Sequence, residues 1–130
     1  MKGLDRRWIL FLAGLLAAAA VGCSESRSTS TSTASSTVEV VSCPVAVTDV
    51  AIAGQNFLPA ALTVAAGSTV RWTNNDLMDH TVTSTTVPAG GTFDQRIVPG
   101  ASLCLKFTVA GTYNYVCTIH PAMIGTVTVQ

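Results

Sequence analysis

Charge is scarce in this 130-residue chain, in which Asp, Glu, Lys and Arg together make up 11%. After residue 22 the basic side chains are Arg27, Arg71, Arg96 and Lys106, against Glu25, Glu39, Asp49, Asp76, Asp79 and Asp94, a net of −2. No basic patch forms, so nucleic acid is excluded as a partner. No glycine-rich phosphate loop is present, and no segment after residue 37 has a helical period. The one long apolar run, Trp8 to Val21, falls short of the roughly 20 residues of a membrane span. Histidine is rarer still, with only His80 and His120. Any chemistry that needs three imidazoles is therefore excluded.

The start, "MKGLDRRWILFLAGLLAAAAVGCSES", places Lys2, Arg6 and Arg7 before that apolar run and small residues after it, as an export signal does. We expect residues 1–22 to be such a signal. "AVGC" resembles a bacterial lipobox, with Cys23 as the lipidated first residue of the mature chain; ordinary cleavage nearby is the alternative. The pair Arg6–Arg7 is a weak match to a twin-arginine signal, because its flanks depart from that pattern. Residues 24–37, "SESRSTSTSTASST", have no apolar face to bury and read as a disordered tether. With Cys23, they form a segment 23–37 that would hold a folded domain, residues 38–130, off a membrane.

From Val38 onward the apolar residues alternate. Val50 and Ile52, Leu62 and Val64, Val70 and Trp72, and Leu103, Leu105, Phe107 and Val109 each share a face, and glycines mark turns between them. Several short strands imply an all-β sandwich or barrel. At this size the core gains from a covalent staple.

With Cys23 assigned to lipid, Cys43, Cys104 and Cys117 remain, and an oxidising compartment should join two of them. Alternation turns Cys104 away from the inward face of Leu103 and Leu105, toward the extension that carries Cys43. A Cys43–Cys104 disulfide is the expected pairing; any bridge to Cys117 is the rival. The expected pairing leaves Cys117 as a free thiol.

Cys117 opens "CTIHPAM", in which Cys117, His120 and Met123 stand at three-residue intervals. Taken singly, each has a plain reading: a buried inert thiol, a surface imidazole, a core methionine. His80, after the polar turn "TNNDLMD", alone would read as solvated. Together they are two histidines, one thiol and one thioether, the set of a His₂Cys copper centre with a weak axial methionine. Thiolate and imidazole tolerate both Cu(I) and Cu(II), so a frame that fixes them leaves little to rearrange when an electron moves. Met78 reads as an exposed apolar residue beside the site rather than a further ligand.

"GTYNYVCTIHPAMIGTVTV" resembles the C-terminal copper loop of the cupredoxins, and its short C-x2-H-x2-M spacing is similar to the amicyanin-like members. "FLPAALTVAAGSTVRWTNND" and "HTVTS" resemble the segments that precede and carry the first histidine ligand in the same family. The resemblance spans about residues 49–130. It implies a Greek-key β-sandwich, one type 1 copper held by His80, Cys117, His120 and Met123, and electron transfer rather than catalysis. One departure is Thr81, where many members carry asparagine. Support of the sulfur by the backbone N–H should survive there; the asparagine side-chain support does not carry over.

The expected function is transfer of single electrons between exported or membrane-bound redox proteins that dock near His120. Pro121, Ala122, Leu58 and Met78 would form the apolar surround. The domain is expected to act as a monomer, lipid-anchored on the outer face of a bacterial membrane or in the periplasm. Two other classes share these donors: a copper chaperone or storage protein, and a zinc-bound structural module, for which the methionine would be of little use.

Overall fold

The computed structural model describes residues 36–130. The expected export signal, Cys23 and the tract before Ser36 lie outside the described residues. Ten strands follow in order: β1 (Val38–Val40), β2 (Thr48–Ala53), β3 (Asn56–Leu58), β4 (Ala61–Val64), β5 (Thr69–Asn74), β6 (His80–Ser84), β7 (Asp94–Ile97), β8 (Ser102–Phe107), β9 (Gly111–Val116) and β10 (Ile124–Val129). Among the described residues there is no helix. The strands form two five-stranded sheets, β1-β8-β5-β2-β3 and β4-β10-β9-β6-β7, so the molecule is an all-β sandwich. The chain passes between sheets at β3–β4, β4–β5, β5–β6, β7–β8 and β8–β9. Most neighbouring strands are antiparallel, but β2 pairs parallel to β5 and β10 parallel to β4.

Period-two alternation decides which side chains meet between the sheets. Val50, Ile52, Val70, Trp72, Leu105 and Phe107 from one sheet are fully buried against Val82, Tyr113, Tyr115 and Val127 from the other. The expected inward face of β8 ends at Phe107; Val109 lies beyond the strand and is exposed. At the centre, Tyr115 stands edge-on to Trp72 and to Phe57, with ring centroids 5.5 and 4.8 Å apart. Trp72 Nε1 donates to Tyr115 Oη at 3.2 Å, so the two buried polar tips satisfy each other. Burial pushes the Tyr115 phenol up to about 12. Across the ladder, Tyr115 faces Gly125. A Cβ on Gly125 would lie 2.2 Å from Tyr115 Cζ, so the ring occupies the space that only glycine leaves.

Backbone pairing begins ahead of the expected domain start. The Thr37 N–H donates to Gly90 O at 3.1 Å and Thr108 N–H to Thr37 O at 3.0 Å. β1 then runs antiparallel to β8, from Val38 opposite Phe107 to Val40 opposite Leu105. Beyond it, Cys43 joins Cys104 in a disulfide, with Cα atoms 5.3 Å apart. Cys104 is buried under this extension, on the face of β8 opposite its inward leucines. Cys117 is left as the free cysteine among the described residues.

Candidate metal centre

The site is built from the ends of two neighbouring strands and one tight loop. β9 delivers Cys117 just past Val116, and β10 takes the chain away from Met123. Between them, Cys117 N–H donates to Met123 O at 3.0 Å and Met123 N–H to His120 O at 2.8 Å. These two bonds close the loop on itself, so Cys117, His120 and Met123 sit on one short turn. β6 lies beside β9, pairing Thr83 with Val116, and its first residue, His80, arrives at the same end. His80 and Cys117 are wholly buried, Met123 is nearly so, and His120 is half-buried.

The Cys117 Sγ lies 3.7 Å from His80 Nδ1 and 3.7 Å from His120 Nδ1, while the two Nδ1 atoms are 3.2 Å apart. A triangle with those edges has a circumradius of about 2.1 Å. One point therefore lies at metal-bonding range of all three atoms, given that first-row metals bond imidazole nitrogen at ~2.0–2.1 Å and thiolate sulfur at ~2.3 Å. Lone pairs converging so closely repel one another unless a cation or proton sits among them. The donor set fits a soft or borderline metal ion held by the thiolate of Cys117 and the Nδ1 atoms of His80 and His120.

Each donor is oriented by a partner behind it. The other nitrogen of His80, Nε2, lies 3.0 Å from Asp76 Oδ2, so a carboxylate stands behind the ring on the side away from the metal point. The Asp76 carboxylate is itself gripped by Gly54 N–H at 2.7 Å and Gln55 N–H at 2.9 Å. The Gln55 and Gly54 amides hold it below the usual carboxylate range, with His80 adding to the effect. Asn74, fully buried, fixes the same loop: its Nδ2 donates to Met78 O at 2.8 Å and to Ile97 O at 2.9 Å, and its Oδ1 accepts from Asp76 N–H at 3.0 Å. Neither Asp76 nor Asn74 is singled out by the sequence as part of a site: their bonds to His80 and Met78 are local, but the Gly54 and Gln55 amides and the Ile97 carbonyl that complete their bonding lie across the fold.

Thr81 does more than the family pattern implied. Its N–H donates to Cys117 Sγ at 3.3 Å, as expected. Its hydroxyl also accepts from Thr118 N–H at 2.7 Å, directly after the thiol residue, and lies 3.0 Å from Thr118 Oγ1. Thr83 Oγ1 sits 3.0 Å from that hydroxyl and donates to Asp94 Oδ1 at 2.8 Å. The hydroxyl of Thr81 thus fastens β6 to the Cys117 loop.

Around this end the exposed apolar side chains are Leu77, Met78, Val98 and Ile119, together with Pro121 and Ala122 on the loop. Leu58 is exposed but stands opposite Ala51, down β3 from the Gly54–Gln55 turn, and leaves this group. Leu77, nearly as exposed as in a free peptide, joins it without having been singled out from sequence.

A β-sandwich that gathers two imidazoles and a buried thiolate at one end defines a class, the mononuclear soft-metal proteins. Residues 44–130 match the copper binding proteins of the plastocyanin/azurin family, and the chain belongs to that family. It is 35% identical over 97 residues to amicyanin-alpha of Methylorubrum extorquens, covering 70% of this chain and 78% of the relative. It is 39% identical over 84 residues to a plastocyanin of Scenedesmus fuscus, covering 57% of this chain and 86% of that one. Among solved structures, amicyanin of Paracoccus versutus superposes with a TM-score of 0.64 at 28% identity, over 72% of this chain and 98% of its own. The chain is a copper-binding protein of the electron-transfer kind, and not an enzyme.

Proposed function

We propose that this protein is a type 1 copper carrier that shuttles single electrons between exported or membrane-bound redox proteins. The observation that carries the reading is the convergence of Cys117 Sγ and the two Nδ1 atoms on one point about 2.1 Å from each. Copper bound there would supply a one-electron couple between Cu(I) and Cu(II). The chain's own residues do the rest. His80 and Cys117 exclude water by burial, Asp76 and Thr81 hold two donors in place, and Met123 on the same loop supplies the weak fourth ligand. A thioether is a donor for copper and of little use to zinc. Ligands held this firmly need not move when the charge on the ion changes.

His120 is the ligand nearest solvent and offers the route for the electron. Leu77, Met78, Val98, Ile119, Pro121 and Ala122 form an apolar surround where a redox partner docks. Small contacts suit a carrier that must release its partner after each transfer. Export, with Cys23 as a lipid anchor and residues 24–37 as the tether, is supported by the basic–apolar–small start of the chain and by the Cys43–Cys104 disulfide, which needs an oxidising compartment.

The test is to add Cu(II) to the purified protein under oxidising conditions. An intense sulfur-to-copper charge-transfer band that bleaches with a mild reductant is the expected result; its absence overturns the reading. A His120→Gly variant should lose partner electron transfer and recover part of it with external imidazole. Transfer of copper itself to an acceptor protein, at a rate exceeding electron transfer, would replace the carrier reading with a chaperone.

A further inference from the structure

The connection between His80 and the β2–β3 turn is unusually direct. Gly54 and Gln55, the two turn residues, both have φ of +57°, as the two central positions of a type I′ hairpin turn require. That conformation aims both of their N–H groups at one carboxylate, with Gly54 bonded to Asp76 Oδ1 and Gln55 to Oδ2. Oδ2 then accepts a second bond from His80 Nε2 at 3.0 Å. The imidazole is fully buried, and the carboxylate side chain is only 16% exposed. Two strands, a turn, a carboxylate and an imidazole thus form a rigid line that ends at the metal point.

We propose that Asp76 is a positioning residue that fixes the tautomer of His80 and biases the bound metal toward its higher oxidation state. The proposal rests on the copper reading above. An imidazole whose far N–H is bonded to a carboxylate is a stronger donor at its near nitrogen than one bonded to a neutral acceptor. The anion also lies one ring away from the ion, at the solvent boundary with its side chain 16% exposed, so part of its charge is felt at the ion through the buried imidazole. Both effects favour the doubly charged ion over the singly charged one. Asn74 keeps the carboxylate on this line by accepting the Asp76 N–H, and the turn amides keep it from rotating away.

Two measurements decide the matter. In the metal-free wild-type protein, nitrogen-15 NMR of the neutral His80 ring should find the Nε2–H tautomer; the Nδ1–H tautomer overturns the proposal without any copper present. In the copper protein, Asp76→Asn should raise the reduction potential and weaken Cu(II) binding by about 10- to 100-fold, the usual cost of losing such a partner, while Cu(I) binding changes less. Asp76→Glu, which keeps the charge, should restore part of the wild-type potential. Equal loss of Cu(I) and Cu(II) affinity with an unchanged potential would mean that Asp76 only braces the loop, and the proposal fails. Failure of wild-type protein to develop the charge-transfer band would instead sink the copper reading itself, so the two failures are told apart.

Discussion

Replacing Gly125 by alanine tests whether the ring of Tyr115 truly fills the space beside that strand. The added Cβ would stand 2.2 Å from Cζ, 2.4 Å from Oη and 2.5 Å from Cε2 of Tyr115. Ordinary contact begins at 3.4 Å, so the ring must retreat by about 1.2 Å. It has nowhere to go, because Trp72 and Phe57 are packed edge-on against it. Overpacking of this kind costs about 1–3 kcal/mol, and stretching the Trp72–Tyr115 hydrogen bond adds about 1 kcal/mol. The expected loss is therefore ~2–4 kcal/mol, which for a domain of this size lowers Tm by roughly 10–25 °C. Equilibrium urea unfolding of the metal-free protein, by tryptophan fluorescence, measures it directly and also reports on Trp72. Since Tyr115 stands two residues before Cys117, the same variant should shift the charge-transfer band of the copper protein. A loss smaller than about 0.5 kcal/mol, with an unchanged emission spectrum, would refute the packing argument.

Removing the disulfide by Cys43→Ala with Cys104→Ala opens a link across 61 residues. In the chain-entropy account that costs about 4 kcal/mol, seen as a lower urea midpoint, while the copper band should persist because the pair is remote from it. Thr37 Oγ1 is buried without a hydrogen-bond partner among the described residues; Thr37→Val should stabilise the domain by about 1 kcal/mol, and destabilisation in a melt would contradict it. Gln55 holds a left-handed φ without being glycine, so Gln55→Gly should gain up to about 1 kcal/mol in urea unfolding; a clear loss would show that its side chain carries weight. Thr81→Val keeps the N–H on Cys117 Sγ but removes the acceptor of Thr118 N–H, leaving that amide unpaired at a cost of about 1–3 kcal/mol. It should broaden the copper electron-spin spectrum as the loop loosens, and an unaltered spectrum with unaltered stability would deny the hydroxyl its role.

His80, Cys117 and His120, which the structure gathers at one point, stood out in the chain because their residue types are so sparse. With two histidines and one cysteine left over, few other arrangements were open. The Cys43–Cys104 pairing followed from alternation along β8, a local property. What escaped notice depends on distant parts of the chain meeting. Asp76 looks like any loop acid until the β2–β3 turn, some twenty residues earlier, is folded against it. The hydroxyl of Thr81 gains meaning only when Thr118 is brought alongside. Gly125 reads as a weak spot in a strand, and nothing local reveals that an aromatic ring from the neighbouring strand lies over it. The parallel pairing of β2 with β5 and of β4 with β10 has no local signature either, because parallel neighbours are joined through other elements.

The direction of β1 has a bearing on reach. Its first residue pairs with Phe107, and Thr37 bonds beside Gly90, whereas Ser102 and Asn74 mark the other pole, where His80 and His120 are gathered. The described start of the domain is thus fastened about the length of a six-residue strand, roughly 20 Å, from the two imidazoles. The ladder bonds of β1 brace the end of the sandwich opposite the one that carries the donors.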